Sequence, residues 1–268
     1  MPEGPSIVIL REQAAKFSGR IIRAASGNSK VDKERLVGQR IVSLRSFGKQ
    51  FLIETPVITV RIHLLMFGSY RVDERRADRE PRLHLQFARG ELNFYSCSVR
   101  FLDAPLEELY DWRMDVLSEA WDPRLALRRL RSQPDTLVCD ALLDQEIFAG
   151  VGNIIKNEVL FRIRVHPLST IGALPARKLR DLVREARQYS LDFLEWKRRF
   201  VLRKHWLVHN KGTCARDGAK LTRSYLGQRN RRTFWCERCQ RLYDGCSIRT
   251  GLDARALKSR VQRSRSGR

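Results

Sequence analysis

Long apolar runs are missing from this sequence. No stretch approaches the ~20 consecutive apolar residues that span a bilayer, so no membrane-spanning helix is expected. The start carries no basic segment followed by an apolar core and a cleavage site, so no secretory leader is expected either. Cysteine is sparse: six are too few for a disulfide scaffold of 268 residues, and Cys214, Cys236, Cys239 and Cys246 all fall in the last quarter. That placing favours a metal site in a reducing compartment. Acid is scarce relative to base, with 30 Asp+Glu against 52 Lys+Arg and a formal charge of +22. Self-repulsion of that size calls for a polyanionic partner, and nucleic acid leads, because Lys and Arg release counterions from phosphates. The expected setting is the cytoplasm of a bacterium, at the nucleoid.

What is present suffices for folded domains: 43% of residues are hydrophobic, and the length allows two compact units. SIVILREQAAKF fits a helix opening after Gly4-Pro5, where proline's missing N–H costs nothing. From about 37 to 103 the pattern changes to short alternating runs such as QFLIETP, VITVRIHLL and LNFYSCSVRFL, the pattern of an antiparallel sheet or sandwich. DERRADREPR, at 73–82, reads as a charged, mobile connection. The expected division is a β domain at 1–120, a hinge at 121–135 and a helical domain at 136–205. A cysteine-bearing hairpin at 206–243 and a basic tail at 244–268 follow. Within the helical part a helix is expected to end near Phe148-Ala149, with Gly150 and Gly152 turning the chain and Asn153 opening the next helix. Free backbone N–H groups at such a helix start can hold a phosphate.

Cys236-x-x-Cys239 has the spacing of a zinc knuckle, with Cys214 upstream as the partner half-site. The place of a fourth cysteine, C-x-x-C from Cys214, is taken by Asp217. A structural Zn2+ held by Cys214, Asp217, Cys236 and Cys239 is chemically permissible, because carboxylate oxygen binds zinc. His209 or Cys246 in place of Asp217, or a metal-free hairpin, are the alternatives.

MPEGP, SFGKQFL at 46–52, HLLMFG at 63–68, GVGNIIKNE at 150–158 and RRTFWCERC at 231–239 occur in that order. With them the chain resembles the formamidopyrimidine-DNA glycosylase/endonuclease VIII family of base-excision repair enzymes, over nearly its whole length to about residue 243. The resemblance implies an α+β fold. An N-terminal antiparallel β-sandwich with a leading helix precedes a mainly helical helix–two-turn–helix domain with a zinc-finger β-hairpin. It implies a monomer that binds damaged DNA and acts as a bifunctional glycosylase and AP lyase. Pro2, freed by loss of Met1, is then the nucleophile, since an α-amino group titrates near ~8 and a secondary amine can form an iminium at the sugar C1′. Glu3 is the proton donor and shuttle; it also stands where a first-turn acid complements a helix dipole. Lys49, in FGK, contacts the phosphate beside the lesion. Asn153 and Arg231 hold phosphates, with Arg232 adjoining, and Lys156 is a further DNA contact. Leu65, Met66 and Phe67 fill the stack that an everted base vacates, Met66 and Phe67 ahead of Leu65.

Two departures from the family pattern stand out: Ser6 where many relatives carry a second glutamate, and Asp217 in the finger. MPEGP rather than MPELP leans toward the endonuclease VIII side. Only about ten residues, RRFVLRKHWL, join the last long helix to the finger, which is short for a loop that caps an everted purine. Oxidised pyrimidines are therefore favoured over 8-oxoguanine or formamidopyrimidine lesions. The rival classes are a non-enzymatic nucleic-acid-binding protein and an RNA-processing or ribosome-associated factor. A processed N-terminal amine beside a carboxylate separates the enzyme from the first, and competition between lesion-bearing duplex DNA and structured RNA separates it from the second.

Overall fold

The leading helix forms because Pro5 presets its first turn and because Ile7, Leu10 and Ala14 recur on one face, all fully buried. In this computed structural model, which describes residues 2–244, that helix is α1, Gly4–Ala14. Cys246 and the basic tail beyond Asp244 lie outside the described residues.

Eight strands follow α1: β1 (Ala24–Ser26), β2 (Ser43–Phe47), β3 (Gln50–Glu54), β4 (Thr59–His63), β5 (Ser69–Val72), β6 (Leu83–Gln86), β7 (Glu91–Tyr95) and β8 (Ser98–Leu102). They pair antiparallel in two four-stranded sheets, ordered β2-β3-β4-β8 and β1-β6-β7-β5. Register puts Phe51 opposite Ile62 and Ile62 opposite Val99. Their side chains join Leu83, Leu92 and Phe94 of the other sheet in one core, which α1 closes at one end. This is the expected sandwich. The charged connection at 73–82 is not loose. The phenol oxygen of the buried Tyr95 accepts from Arg76 N (2.9 Å), and Asn93 Nδ2 donates to Glu74 O (3.0 Å).

α2 (Leu106–Leu109) packs at the junction, Leu106 lying with Phe47 and Leu52 of the sandwich and with Ala149, and the second body contains α3 (Pro123–Arg131), α4 (Val138–Ala141), α5 (Asn153–Arg162) and α6 (Ala176–Arg198). Residues 121–135, read as a hinge, are part of this body. Asp122 caps α3 by accepting from Arg124 N and Leu125 N, and Ala126 and Leu130 are buried in the helical core. The helix expected to reach Phe148 stops at Ala141. Residues 142–148 run as successive turns, in which Asp144 Oδ1 accepts from Glu146 N; an aspartate there competes with helix bonding. The last element is a hairpin of β9 (Thr222–Leu226) and β10 (Arg231–Trp235), and β10 packs on α5.

Candidate active site at the junction of the two bodies

Glu3 is fully buried, and its carboxylate is aimed at a helix 150 residues away in sequence. Oε1 accepts from Ile154 N (2.7 Å); Oε2 accepts from Gly152 N (3.1 Å) and Ile155 N (3.3 Å). The first N–H groups of α5 have no partner within the helix and carry its positive end. Glu3 therefore caps α5, not its own helix, where its side chain makes no cap bond. The N–H groups expected to hold a phosphate at this helix start are thus occupied by the protein's own carboxylate. Burial pushes the Glu3 carboxyl above its usual range, against the pull of Lys49 and of the Ile154 and Ile155 N–H groups. Gly152 allows the approach: a Cβ there would lie 2.6 Å from Glu3 Cγ and 2.7 Å from Oε1.

Lys49 sits in the two-residue turn between β2 and β3, beside Gly48 in the left-handed region (φ +54°). It is half-buried, not held out in solvent, and its charge acts on Glu3. Burial lowers the Lys49 ammonium from its usual value; Glu3 opposes that, while Arg229 and Arg231 add to it. Pro2, half-buried, lines a groove of about 830 Å³ with Ser6, Met66, Phe67, Tyr70 and Lys197.

Leu65, Met66 and Phe67 form the turn after β4 and are 50%, 44% and 83% exposed. Adjacent large apolar side chains in solvent mark an interaction surface, so these residues are not core. Leu65 has φ +52°, and Gly68 N donates to Leu64 O (2.7 Å), closing the turn that holds them out. Arg231 opens β10 and reaches across from the finger, its Nη1 lying 3.3 Å from Met66 Sδ.

Asn153 is nearly buried: Nδ2 donates to Arg232 O (2.8 Å), and Oδ1 has no partner. Lys156 is displaced from its expected role. It is fully buried, and Nζ donates to Thr233 Oγ1 (2.8 Å) of β10. Because α5 is buried on nearly every side, its lysine has no path to a phosphate and instead ties helix to finger. Burial lowers its ammonium to about 8.

Cys214, Asp217, Cys236 and Cys239 converge, their ligand atoms all within 4.8 Å of one another. Cys214 Sγ lies 3.8 Å from Cys239 Sγ, and Cys236 Sγ lies 3.3 Å from Asp217 Oδ2. A tetrahedron of about 2.3 Å Zn–S bonds has edges of about 3.8 Å, so the donor set fits zinc. His209 is not part of it; its Nδ1 lies 3.1 Å from Asn157 Nδ2, against α5. Cys246 lies outside the described residues.

Sequence reasoning missed two buried acids. Glu158 accepts the N–H groups of Leu207, Val208 and His209 and so anchors the entry to the finger. Asp115 accepts from Gly48 N (2.8 Å), beside Lys49. No local spacing marks either; both are single acids whose distant partners lie about 50 to 67 residues away.

The formamidopyrimidine-DNA glycosylase N-terminal domain model matches residues 1–104, and the H2TH domain model of the same glycosylases matches residues 113–192. A mycobacterial relative, Endonuclease 8 2 of Mycobacterium bovis, is 31% identical over 77% of this chain and 86% of its own length. The chain belongs to the formamidopyrimidine-DNA glycosylase/endonuclease VIII family. Endonuclease 8-like 3 of Xenopus laevis is also 31% identical over 82% of this chain, but the match covers only 38% of that protein. The chain thus spans about two fifths of the length of the vertebrate Endonuclease 8-like 3 relatives. Lactococcus lactis formamidopyrimidine-DNA glycosylase, solved with DNA containing an AP site, shares the fold. Its TM-score is 0.77 at 22% identity, over 89% of this chain and 99% of that one. Family membership agrees with the sandwich, helical body and hairpin described above. Among the described residues no helix is long and apolar enough to cross a membrane.

Proposed function

We propose that this family member is a bifunctional DNA glycosylase and AP lyase of base-excision repair that acts through an N-terminal Pro2 amine. The observation that carries the reading is the buried Glu3 carboxyl, raised above its ordinary range and fixed by three backbone N–H groups beside Pro2 and Lys49. A buried acid next to a cation and an open groove suits proton transfer.

Removal of Met1 leaves Pro2 with a secondary amine, unprotonated in appreciable part at neutral pH because α-amino groups titrate near ~8. Its lone pair forms a bond to the deoxyribose C1′ as the C1′–base bond breaks. Glu3 gives its proton to the ring oxygen; the attached nitrogen passes its own proton to the departing base, and its freed lone pair opens the ring, leaving an iminium. The iminium acidifies C2′–H. Loss of that proton expels the 3′ phosphate, and a second elimination expels the 5′ phosphate, with Glu3 taking and returning protons. Lys49 faces the phosphate beside the lesion, and Arg231 and Asn153 hold the flanking backbone. Leu65, Met66 and Phe67 enter the vacated stack, as their exposure allows. Cys214, Asp217, Cys236 and Cys239 hold a structural zinc, which clamps the loops flanking the hairpin that presents Arg231.

Oxidised pyrimidines are the favoured lesions. Support comes from the short passage between α6 and the finger, where Phe200, Val201 and Leu202 line a cleft of about 800 Å³ that stays open to solvent. The protein acts as a monomer on damaged DNA. Duplexes bearing one damaged base each, treated with borohydride during cleavage, test the reading. A covalent adduct mapped to Pro2 is expected. An adduct on an internal lysine, or binding with no adduct, refutes it.

A further inference from the structure

Asp115 lies at the meeting point of the segments that build the site, yet no element of the chemistry above uses it. It is 5% exposed, and both carboxyl oxygens are engaged. Oδ2 accepts from Gly48 N and Oδ1 from Leu117 N, each at 2.8 Å. Its backbone lies beside Ala149: Ala149 N donates to Met114 O (2.9 Å) and Val116 N to Ala149 O (3.2 Å). Gly150 O then accepts from Gly4 N (2.9 Å), next to Glu3. One short segment thus touches both the turn that carries Lys49 and the turn on which the N-terminus hangs.

We propose that Asp115 is a positioning residue that acts through Lys49, its carboxylate setting the β2–β3 turn so that the Lys49 ammonium faces Glu3. Gly48 has its N–H buried against the helical body. A Cβ on it would lie 3.0 Å from Gly150 N, so the two backbones are already in close contact. A buried N–H needs an acceptor, and Asp115 supplies the bond found for Gly48. Only an ionised carboxylate presents two acceptors in this arrangement. An amide or a protonated acid turns one of them into a donor facing an N–H. Lys49 follows Gly48 directly, so a shift of the turn moves its ammonium relative to Glu3.

The charged groups facing Asp115 are Arg11 of α1 and Arg187 of α6. Arg187 Nη1 also donates to Val116 O (3.3 Å) and Ser118 O (2.9 Å), which holds it beside the acid. Burial pushes the Asp115 carboxyl up to about 6, with both N–H groups and both arginines resisting. Keeping an acid at that cost fits a role in which its geometry matters to a neighbour. Given the lyase read above, that neighbour is Lys49.

The test is a double-mutant cycle on single-turnover cleavage of an abasic-site duplex, with borohydride adduct formation read in parallel. Asp115→Asn is expected to slow cleavage by about tenfold or more in the otherwise native protein, the effect of a misplacement of a fraction of an ångström. In the Lys49→Ala background the same change should cost less than about twofold, the signature of residues acting as one unit. Loss of packing alone would slow both backgrounds equally, and that outcome overturns the proposal. Asp115→Ser, whose hydroxyl accepts from only one of the two N–H groups, is run alongside and gives a second cycle if the Asn variant does not fold. An adduct in the native protein with equal losses in both backgrounds sinks the Asp115 role alone. No adduct in the native protein sinks the lyase reading and the Asp115 role with it.

Discussion

Replacing Gly152 by alanine probes the site where it is tightest. The backbone itself does not object, since Gly152 has φ −123° and ψ −163°, which any residue adopts. The obstacle is Glu3. The new Cβ would lie 2.4 Å from Cδ, 2.6 Å from Cγ and 2.7 Å from Oε1, about 0.7–1.0 Å inside the 3.4 Å at which ordinary contact begins. The carboxylate must retreat by about that much, and its bonds to Gly152, Ile154 and Ile155, now 2.7–3.3 Å, stretch beyond bonding distance for at least one. A hydrogen bond to a charged group contributes about 1.5–3 kcal/mol, so a loss near 2 kcal/mol is expected. In a chain of this size that lowers Tm by roughly 4–8 °C. Displacing a reacting group by close to an ångström costs about 10²-fold in rate. Cleavage of an abasic-site duplex should therefore fall about a hundredfold while DNA affinity changes little. Gly212→Ala, where an added Cβ meets nothing within 4 Å, is the control and should leave Tm and rate unchanged. A Gly152→Ala protein as fast as the parent would show that the Glu3 carboxylate does not work from the α5 terminus.

Asp217→Cys should retain zinc and Asp217→Ala should lower its occupancy, read as metal per chain after dialysis against a chelator, because the four donors converge within 4.8 Å. The Asp115 carboxyl titrates near 6 in the folded protein against 3.8 ordinarily, so the folded state holds the extra proton between those values. The stability it lends is complete below about pH 4 and is lost as pH rises through 6, by at most about 3 kcal/mol. Urea melts of Asp115→Asn should lack that slope. Arg231→Ala should reduce the salt dependence of DNA binding by about one phosphate's worth, whereas Lys156→Met should leave it unchanged, since Lys156 is fully buried. Phe67→Ala, removing the most exposed wedge residue, should slow eversion of a fluorescent base analogue more than initial binding.

The two-sheet body with its leading helix, and the cysteine hairpin, were legible in the letters because each rests on local rules. Alternation lays out strands, Gly-Pro opens α1, and C-x-x-C spacing brings two thiols to one turn. Asp217 was readable for the same reason, by its spacing from Cys214. Leu65, Met66 and Phe67 were not legible in that way, since three apolar residues after a strand look like core until the Leu64–Gly68 turn holds them in solvent. Lys156 failed in the opposite sense: a lysine in a basic chain reads as surface, and only the packing of β10 over α5 buries it.

The amino-acid order by itself determined which segments become strand, helix and knuckle, since those choices depend on neighbours a few residues apart. Only the tertiary structure decided that Glu3 occupies the start of α5 and that Asp115 holds the turn before Lys49. Those partners are 67 to 152 residues apart, and no local periodicity encodes a contact that exists only once two separately folded bodies bring buried acids and unpaired N–H groups together.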